Sequence, residues 1–231
     1  MKYTDILLDL DDTLIDTAAN TKVTVEEIYY DYGLDAHFSS FADFFTFYYT
    51  NVSRLWVMYN KGEISKDEIQ QERFAVSLRH LPGMTEEHIR TINLDYIERI
   101  MTKGELIEGA IDILDYLKPR YRIHILSNGF TEMQYKKMDS AGIALSYFHN
   151  IILSDVVGVN KPHPDIFTFS LNEIQATADK VIMIGDNLQT DIIGAYNSGI
   201  DQIWFNPDNK PSPEIVPTYI VGRLEEIKRI L

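Results

Sequence analysis

The apolar run Ile6-Leu7-Leu8 breaks into acid within a few residues, with Asp9, Asp11 and Asp12 set around Leu10. Buried strands of a parallel sheet read as near-continuous apolar runs, and open α/β sheets bind ligands at the carboxyl ends of their strands. A run of this kind ending in carboxylates predicts an inner parallel strand that opens onto chemistry or a metal.

After Thr13 the period changes from strand to helix. Val25, Ile28, Tyr29 and Tyr32 recur at helical spacing and Gly33 supplies a C-terminal stop. A second helix is predicted from about Ser39, with the stripe Phe41, Phe44, Phe45, Tyr48, Val52, Leu55, Trp56 and Tyr59 running to Lys61-Gly62. Ser65 and Glu68 form a capping-box pattern for a third helix, and Thr85 caps a fourth carrying Ile89, Ile92, Tyr96, Ile97 and Ile100. No strand pattern interrupts residues 17 to 100.

From Gly104 onward short apolar runs alternate with amphipathic stretches, the texture of βαβ units. Strands are expected at Tyr121 to Leu126, Asn150 to Leu153, Val181 to Ile184 and Ile203 to Phe205. Helices are expected at Ala110 to Leu117, Thr131 to Ala141, Pro164 to Ile174 and Thr190 to Ser198. A Pro-rich loop from Asn206 to Pro217 precedes a last strand at Tyr219 to Val221 and a terminal helix to Leu231. The chain reads as an α/β protein with a mostly parallel sheet. Residues 1–16 and 104–231 form its core, and the all-helical insertion 17–103 is a lid candidate, since modules inserted over strand ends commonly close on substrate.

Charge narrows the partners. With 21 Lys+Arg against 35 Asp+Glu the net charge is −14, which repels the phosphate backbone of a nucleic acid. Zero Cys excludes disulfides, cysteine nucleophiles and thiolate metal sites, and suits a reducing compartment. No apolar run reaches the length of about 18 residues that a membrane helix needs, and the N-terminus lacks a secretory pattern, so a cytoplasmic location is expected.

Four strand ends carry unusual residues: Asp9, Asp11 and Thr13; Ser127, Asn128 and Gly129; Lys161; and Gly185, Asp186, Asn187 and Asp191. A doubly wound sheet gathers such loops into one site. Asp9, Asp186 and Asp191 are hard oxygen donors suited to Mg²⁺, which takes a few carboxylates together with water and phosphate oxygens. The spacing of Asp9 and Asp11 puts both on one side of an extended chain, unless the turn beginning there breaks that register. Two nearby carboxylates can divide labour, one attacking as an ionised nucleophile, the other donating a proton from a raised pKa. Ser127 and the backbone N–H groups of Asn128 and Gly129 can donate to phosphate oxygens, helped by the N-terminus of the helix that follows. The Lys161 ammonium can hold the nucleophile ionised and offset developing charge. Phosphoryl transfer to a carboxylate uses all of these parts.

The motifs Asp9-Leu10-Asp11-Asp12-Thr13-Leu14, Ser127-Asn128-Gly129, Lys161-Pro162 and Gly185-Asp186-Asn187-Leu188-Gln189-Thr190-Asp191 resemble the four motifs of the haloacid dehalogenase superfamily. The resemblance implies a Rossmann-like core with a helical cap inserted after the first motif. It implies Asp9 as the nucleophile forming an aspartyl-phosphate and Asp11 as general acid, then base. Ser127 and Lys161 would bind the phosphoryl group. Asp9, Asp186 and the Asp11 carbonyl would hold Mg²⁺, and Asp191 would support the metal. Asp12 stands where the family often has Gly and reads as a turn residue.

The stretch Asn51 to Ile64, with Arg73-Phe74 and Asn128-Gly129-Phe130-Thr131, is similar to the bacterial house-cleaning pyrimidine 5′-nucleotidases, which implies a nucleoside monophosphate as substrate. Most of the aromatic stripe reads as packing, while Asn51, Trp56 and Tyr59 are the candidate base contacts, by stacking and by an amide hydrogen bond. His163 reads as a surface turn. A sugar-phosphate or other small-metabolite phosphatase, or a phosphomutase, would share every core motif. A 2-haloacid dehalogenase is disfavoured by Asp11, because carbon–halogen displacement needs no acid, and a non-catalytic binding module is disfavoured by the full set of acids.

Overall fold

The computed structural model describes residues 2–212 and 215–231, so Pro213 and Glu214 of the expected Pro-rich loop lie outside the described residues. The chain forms two compact units, Met1–Thr17 with Gly104–Leu231, and Ala18–Lys103.

The helical unit is built on α1 (Thr17–Asp31), α2 (Phe41–Asn60), α3 (Lys66–Leu78) and α4 (Glu86–Ile100). Local chemistry sets their ends. Gly33, at φ 63°, takes a left-handed conformation just past α1. The Ser40 hydroxyl accepts from the Asp43 N–H at 3.1 Å, and Thr85 accepts from the His88 N–H at 3.2 Å. Ser65 and Glu68 make the reciprocal capping box, with bonds of 2.8 and 3.2 Å. The buried stripe of α2 is Phe44, Tyr48, Val52, Leu55 and Tyr59, with Tyr48 4.8 Å from Phe74 of α3, centroid to centroid. Arg99 of α4 pairs with Asp95 at 2.7 Å and reaches Asp31 of α1 at 2.5 Å.

The second unit holds six strands, β1 (Asp5–Leu8), β2 (Arg122–Ser127), β3 (Asn150–Leu153), β4 (Val181–Gly185), β5 (Asp201–Phe205) and β6 (Tyr219–Val221). They form one sheet in the order β3-β2-β1-β4-β5-β6, and every pairing is parallel. β1 lies inside it, with Leu7 opposite both His124 and Met183. Ile6 and Leu8 pack with Ile123, Ile125, Ile182 and Ile184 in one core, while Leu7 joins Leu126, Val181 and Met183 in the other. Burial on both faces is why the strand reads as an unbroken apolar run. Helices α5 (Ala110–Leu117), α6 (Thr131–Ser140), α7 (Ser154–Val157), α8 (Pro164–Ile174) and α9 (Ile193–Asn197) complete the unit.

Three departures from expectation have local causes. The helix predicted from Thr190 begins earlier, as a π-helical turn over Leu188–Ile192 that runs into α9, because the Asn187 carboxamide accepts the Gln189 and Thr190 N–H groups at 3.0 and 3.2 Å. The terminal helix is the 3-10 segment Leu224–Arg229, whose buried Leu224 and Ile227 sit three apart, the spacing of a 3-10 turn. The single turn α7 has no apolar period to announce it. Among the described residues no helix is long and apolar enough to cross a membrane.

Candidate active site

The carboxyl ends of β1, β2 and β4 converge on Lys161. The Asp9 N–H extends the ladder by one bond, 2.9 Å to the Ile184 carbonyl, so its side chain leaves the strand at a fixed angle. Lys161 Nζ lies 2.6 Å from Asp9 Oδ1, 2.7 Å from Asp191 Oδ1 and 2.7 Å from the Leu126 carbonyl, and all three side chains involved in ion pairing are buried. Asp9, Asp186 and Asp191 offer oxygens that all lie within 4.8 Å of one another. Thr13 donates to Asp186 Oδ1 at 3.1 Å, the Trp204 indole donates to the Asp186 carbonyl at 2.8 Å, and the Asn187 N–H donates to Asp191 Oδ2 at 3.1 Å.

Gly185 makes room for Asp191. A Cβ at Gly185 would stand 2.3 Å from Asp191 Oδ2, so Gly185→Ala has to displace that carboxylate. The expected result is a loss of divalent-cation affinity of roughly 10- to 100-fold, measured by calorimetric titration; unchanged affinity would separate Asp191 from the metal site.

Three carboxyl groups, two of them buried and sharing one ammonium, form a hard oxygen set that fits a divalent cation. Burial raises the Asp9 carboxyl to about 8, with Lys161 opposing and Asp191 and Asp11 adding to the rise. Burial, then the charges of Asp191, Asp9 and Asp12, raise Asp186 well above the usual range against the Thr13 hydroxyl. Burial would lower Lys161, but Asp191 and Asp9 override it and keep the ammonium charged.

These shifts fix a sign. Between the ordinary Asp value of 3.8 and about 8, the folded chain holds a proton on Asp9 that the unfolded chain has lost. Stability from this group is therefore lost as pH rises through that window. A cation competes with the proton, so the rise in melting temperature on adding Mg²⁺ is expected to be larger near about pH 8 than near about pH 5, and an equal increment at both would contradict it.

Asp11 behaves otherwise than expected. Burial pushes its carboxyl up, but the Lys137 ammonium and the donors of Thr17 and Gln134 outweigh burial and hold it below the usual range. Lys137 Nζ and Thr17 Oγ1 reach Asp11 Oδ1 at 2.6 and 2.5 Å, and Gln134 Nε2 reaches Oδ2 at 2.6 Å. The raised value expected of Asp11 falls on Asp9 instead. Asp12 takes a left-handed φ of 57°, in line with a turn role.

Ser127 is buried at the end of β2, where its Oγ accepts from the Gly129 N–H at 3.1 Å. The Asn128 carboxamide grips the Lys161 backbone, accepting its N–H at 2.8 Å and donating to its carbonyl at 2.9 Å. An acid of α7 caps the start of α6: Asp155 accepts the Thr131 N–H at 2.9 Å and its hydroxyl at 2.7 Å. His163 is exposed and accepts from the Asp165 N–H at 3.2 Å.

Within the helical unit, Asn51, Trp56 and Tyr59 all lie on α2. The Asn51 amide reaches Ser77 Oγ at 3.5 Å, Tyr59 is buried, and the Trp56 and Tyr59 rings meet edge to face at 5.6 Å. Sequence alone assigns no role to Thr17, Gln134 and Lys137. The available signal was on α6, where Gln134 and Lys137 occupy a helical stripe with Met133 and Met138.

Residues 6–199 match the haloacid dehalogenase-like hydrolase family. The chain belongs to that family. The hydrolase is 31% identical over 238 residues to the HAD-hydrolase YfnB of Bacillus subtilis (strain 168), a match covering 100% of this chain and 96% of YfnB. It is 30% identical over 237 residues to the pyrimidine 5′-nucleotidase YjjG of Escherichia coli (strain K12), covering 100% and 99%. It is 29% identical over 231 residues to the pyrimidine 5′-nucleotidase PynA of Streptococcus pneumoniae, covering 98% and 94%. The crystal structure of magnesium-bound YfnB matches the hydrolase with a TM-score of 0.89 at 28% identity, covering 100% and 99% of the two chains.

Proposed function

We propose that this hydrolase cleaves phosphate monoesters through an aspartyl-phosphate and that its substrates are pyrimidine nucleoside 5′-monophosphates. The observation that carries the chemistry is the buried Lys161 ammonium bridging Asp9 and Asp191 at 2.6 and 2.7 Å beside Asp186. An Asp9 oxygen attacks phosphorus while the ester P–O bond breaks, and the leaving oxygen takes a proton from Asp11. Water then attacks the aspartyl-phosphate, Asp11 takes the water's proton, and inorganic phosphate leaves with Asp9 restored. Lys161 and Ser127 stabilise the transferring phosphoryl group. Mg²⁺, held by Asp9, Asp186 and the Asp11 carbonyl with Asp191 in support, would neutralise phosphate charge when bound.

An ionised Asp11 suits the second half of this cycle; in the first half it has to carry a proton. Asp11→Asn is therefore expected to slow alkyl esters far more than activated aryl esters, by on the order of 10²-fold, in single-turnover phosphorylation. Equal slowing would remove the acid role.

The nucleotide reading is supported by the names of YjjG and PynA, relatives across nearly the whole chain. Discrimination is assigned to Asn51 and Trp56, whose amide and aromatic face are groups a planar base uses, with the buried Tyr59 packed edge to face against Trp56. A panel of nucleoside monophosphates, hexose phosphates and small organic phosphates, ranked by kcat/KM, is expected to place pyrimidine nucleotides first. A clear preference for hexose phosphates would overturn the substrate class and leave the chemistry standing.

A further inference from the structure

Two polar side chains occupy the buried stripe of α6. Gln134 is fully buried and Lys137 is 9% exposed, three residues apart and so on one face of the helix. A single nitrogen of Gln134 serves two motifs, with Nε2 2.6 Å from Asp11 Oδ2 and 2.7 Å from Ser127 Oγ. Lys137 Nζ lies 2.6 Å from the other Asp11 oxygen.

Two further observations separate this arrangement from ordinary packing. A Cβ at Gly129 would stand 1.9 Å from Gln134 Nε2, so the loop after β2 has no side chain where the amide must pass. The Gln134 carbonyl oxygen is buried with no hydrogen-bond partner among the described residues. A buried carboxamide with one half unsatisfied costs more than an apolar residue of that size, and the satisfied half points at Asp11 and Ser127.

We propose that Gln134 and Lys137 are positioning residues for the reaction, fixing the Asp11 carboxylate against the Ser127 hydroxyl so that the proton-transfer group and the phosphoryl-binding group meet one substrate in register. The inference rests on the phosphatase reading above. Each acts through Asp11, and Gln134 also through Ser127. Catalysis is sensitive to such geometry, because a misplacement of about 1 Å can cost on the order of 10²-fold.

The test compares Gln134→Met and Lys137→Met with the wild type on an alkyl phosphate, whose leaving oxygen needs a proton, and on p-nitrophenyl phosphate, whose leaving oxygen does not. Both variants are expected to lose roughly tenfold or more in kcat on the alkyl ester beyond any loss on the aryl ester. Gln134→Met is also expected to raise KM on both, since Ser127 loses a donor, and Lys137→Arg is expected to recover part of the alkyl rate. In an Asp11→Asn background, Lys137→Met should add little further loss, because the group it positions is gone. Equal losses on the two esters, or full additivity with Asp11→Asn, would overturn the proposal. Where a Met variant shows no cooperative unfolding, Gln134→Glu and Lys137→Gln carry the same comparison, and failure of all four to fold would make the pair a structural element and overturn it as well. A wild type inactive on both esters and on the nucleotide panel would remove the phosphatase reading and this proposal with it, an outcome distinct from active wild type with uniformly affected variants.

Discussion

Asp9→Asn is expected to lower phosphatase turnover by on the order of 10⁴-fold or more while leaving the fold intact. The chemistry requires an oxygen nucleophile that carries charge, and a carboxamide oxygen in the same place is neutral and poorly nucleophilic. The structure makes this substitution a clean one. Asp9 is buried against Lys161, and burial, with the charges of Asp191 and Asp11 adding to it, raises its carboxyl to about 8. Asn replaces an acid that the fold already holds protonated below about pH 8 in the absence of a cation, and Lys161 keeps Asp191 at 2.7 Å as a partner. The melting temperature in chelator is therefore expected to hold or rise, which separates lost chemistry from lost folding. Turnover of an aryl phosphate with saturating Mg²⁺, and acid-quench trapping of phosphate on the protein, give the two readouts. Full activity in the variant would end the nucleophile assignment.

What could be read from sequence was whatever depends on local period or on position in a parallel sheet. β1 was legible because Ile6, Leu7 and Leu8 are all buried, on alternating faces, which leaves no polar residue in the run. Ser65 with Glu68 was legible because a capping box is closed within four residues. The strand-end acids were legible because parallel order brings those ends together whatever their separation in sequence. The clamp on Asp11 was not, because Lys137 is 126 residues away from it along the chain and lies on a helix whose polar stretch looks solvated. The same distance hid the direction of the Asp11 shift: two acids in one motif suggested a raised partner, but the ammonium that reverses the sign comes from α6. The Asp155 cap on α6 was equally invisible, since it reaches Thr131 from 24 residues on, out of α7, and places an acid where sequence suggested a free helix N-terminus.

Lys161→Met should produce the largest combined effect on stability and rate. The side chain is 2% exposed, and its ammonium is the charge that Asp9 and Asp191 share. Deleting one member of a buried ion-pair group costs about 3–5 kcal/mol, because it leaves the remaining charge desolvated and unpaired. For a chain of this size that corresponds to a fall in melting temperature of roughly 6–20 °C in chelator. Two treatments should narrow the gap to wild type for the same reason. Lowering the pH protonates the carboxylates that have lost their ammonium, and Mg²⁺ supplies a replacement positive charge, bound more tightly once Lys161 no longer repels it. Turnover should not follow stability back. With Mg²⁺ saturating, kcat is expected to stay roughly 10²- to 10³-fold down, because a cation bound among the three acids does not reproduce a donor aimed at the developing charge. Arg does not substitute here, since its planar fork is larger than the compact ammonium that fits between two carboxylates and the Leu126 carbonyl. If Mg²⁺ restored rate and stability together, Lys161 would be a structural counter-charge and nothing more.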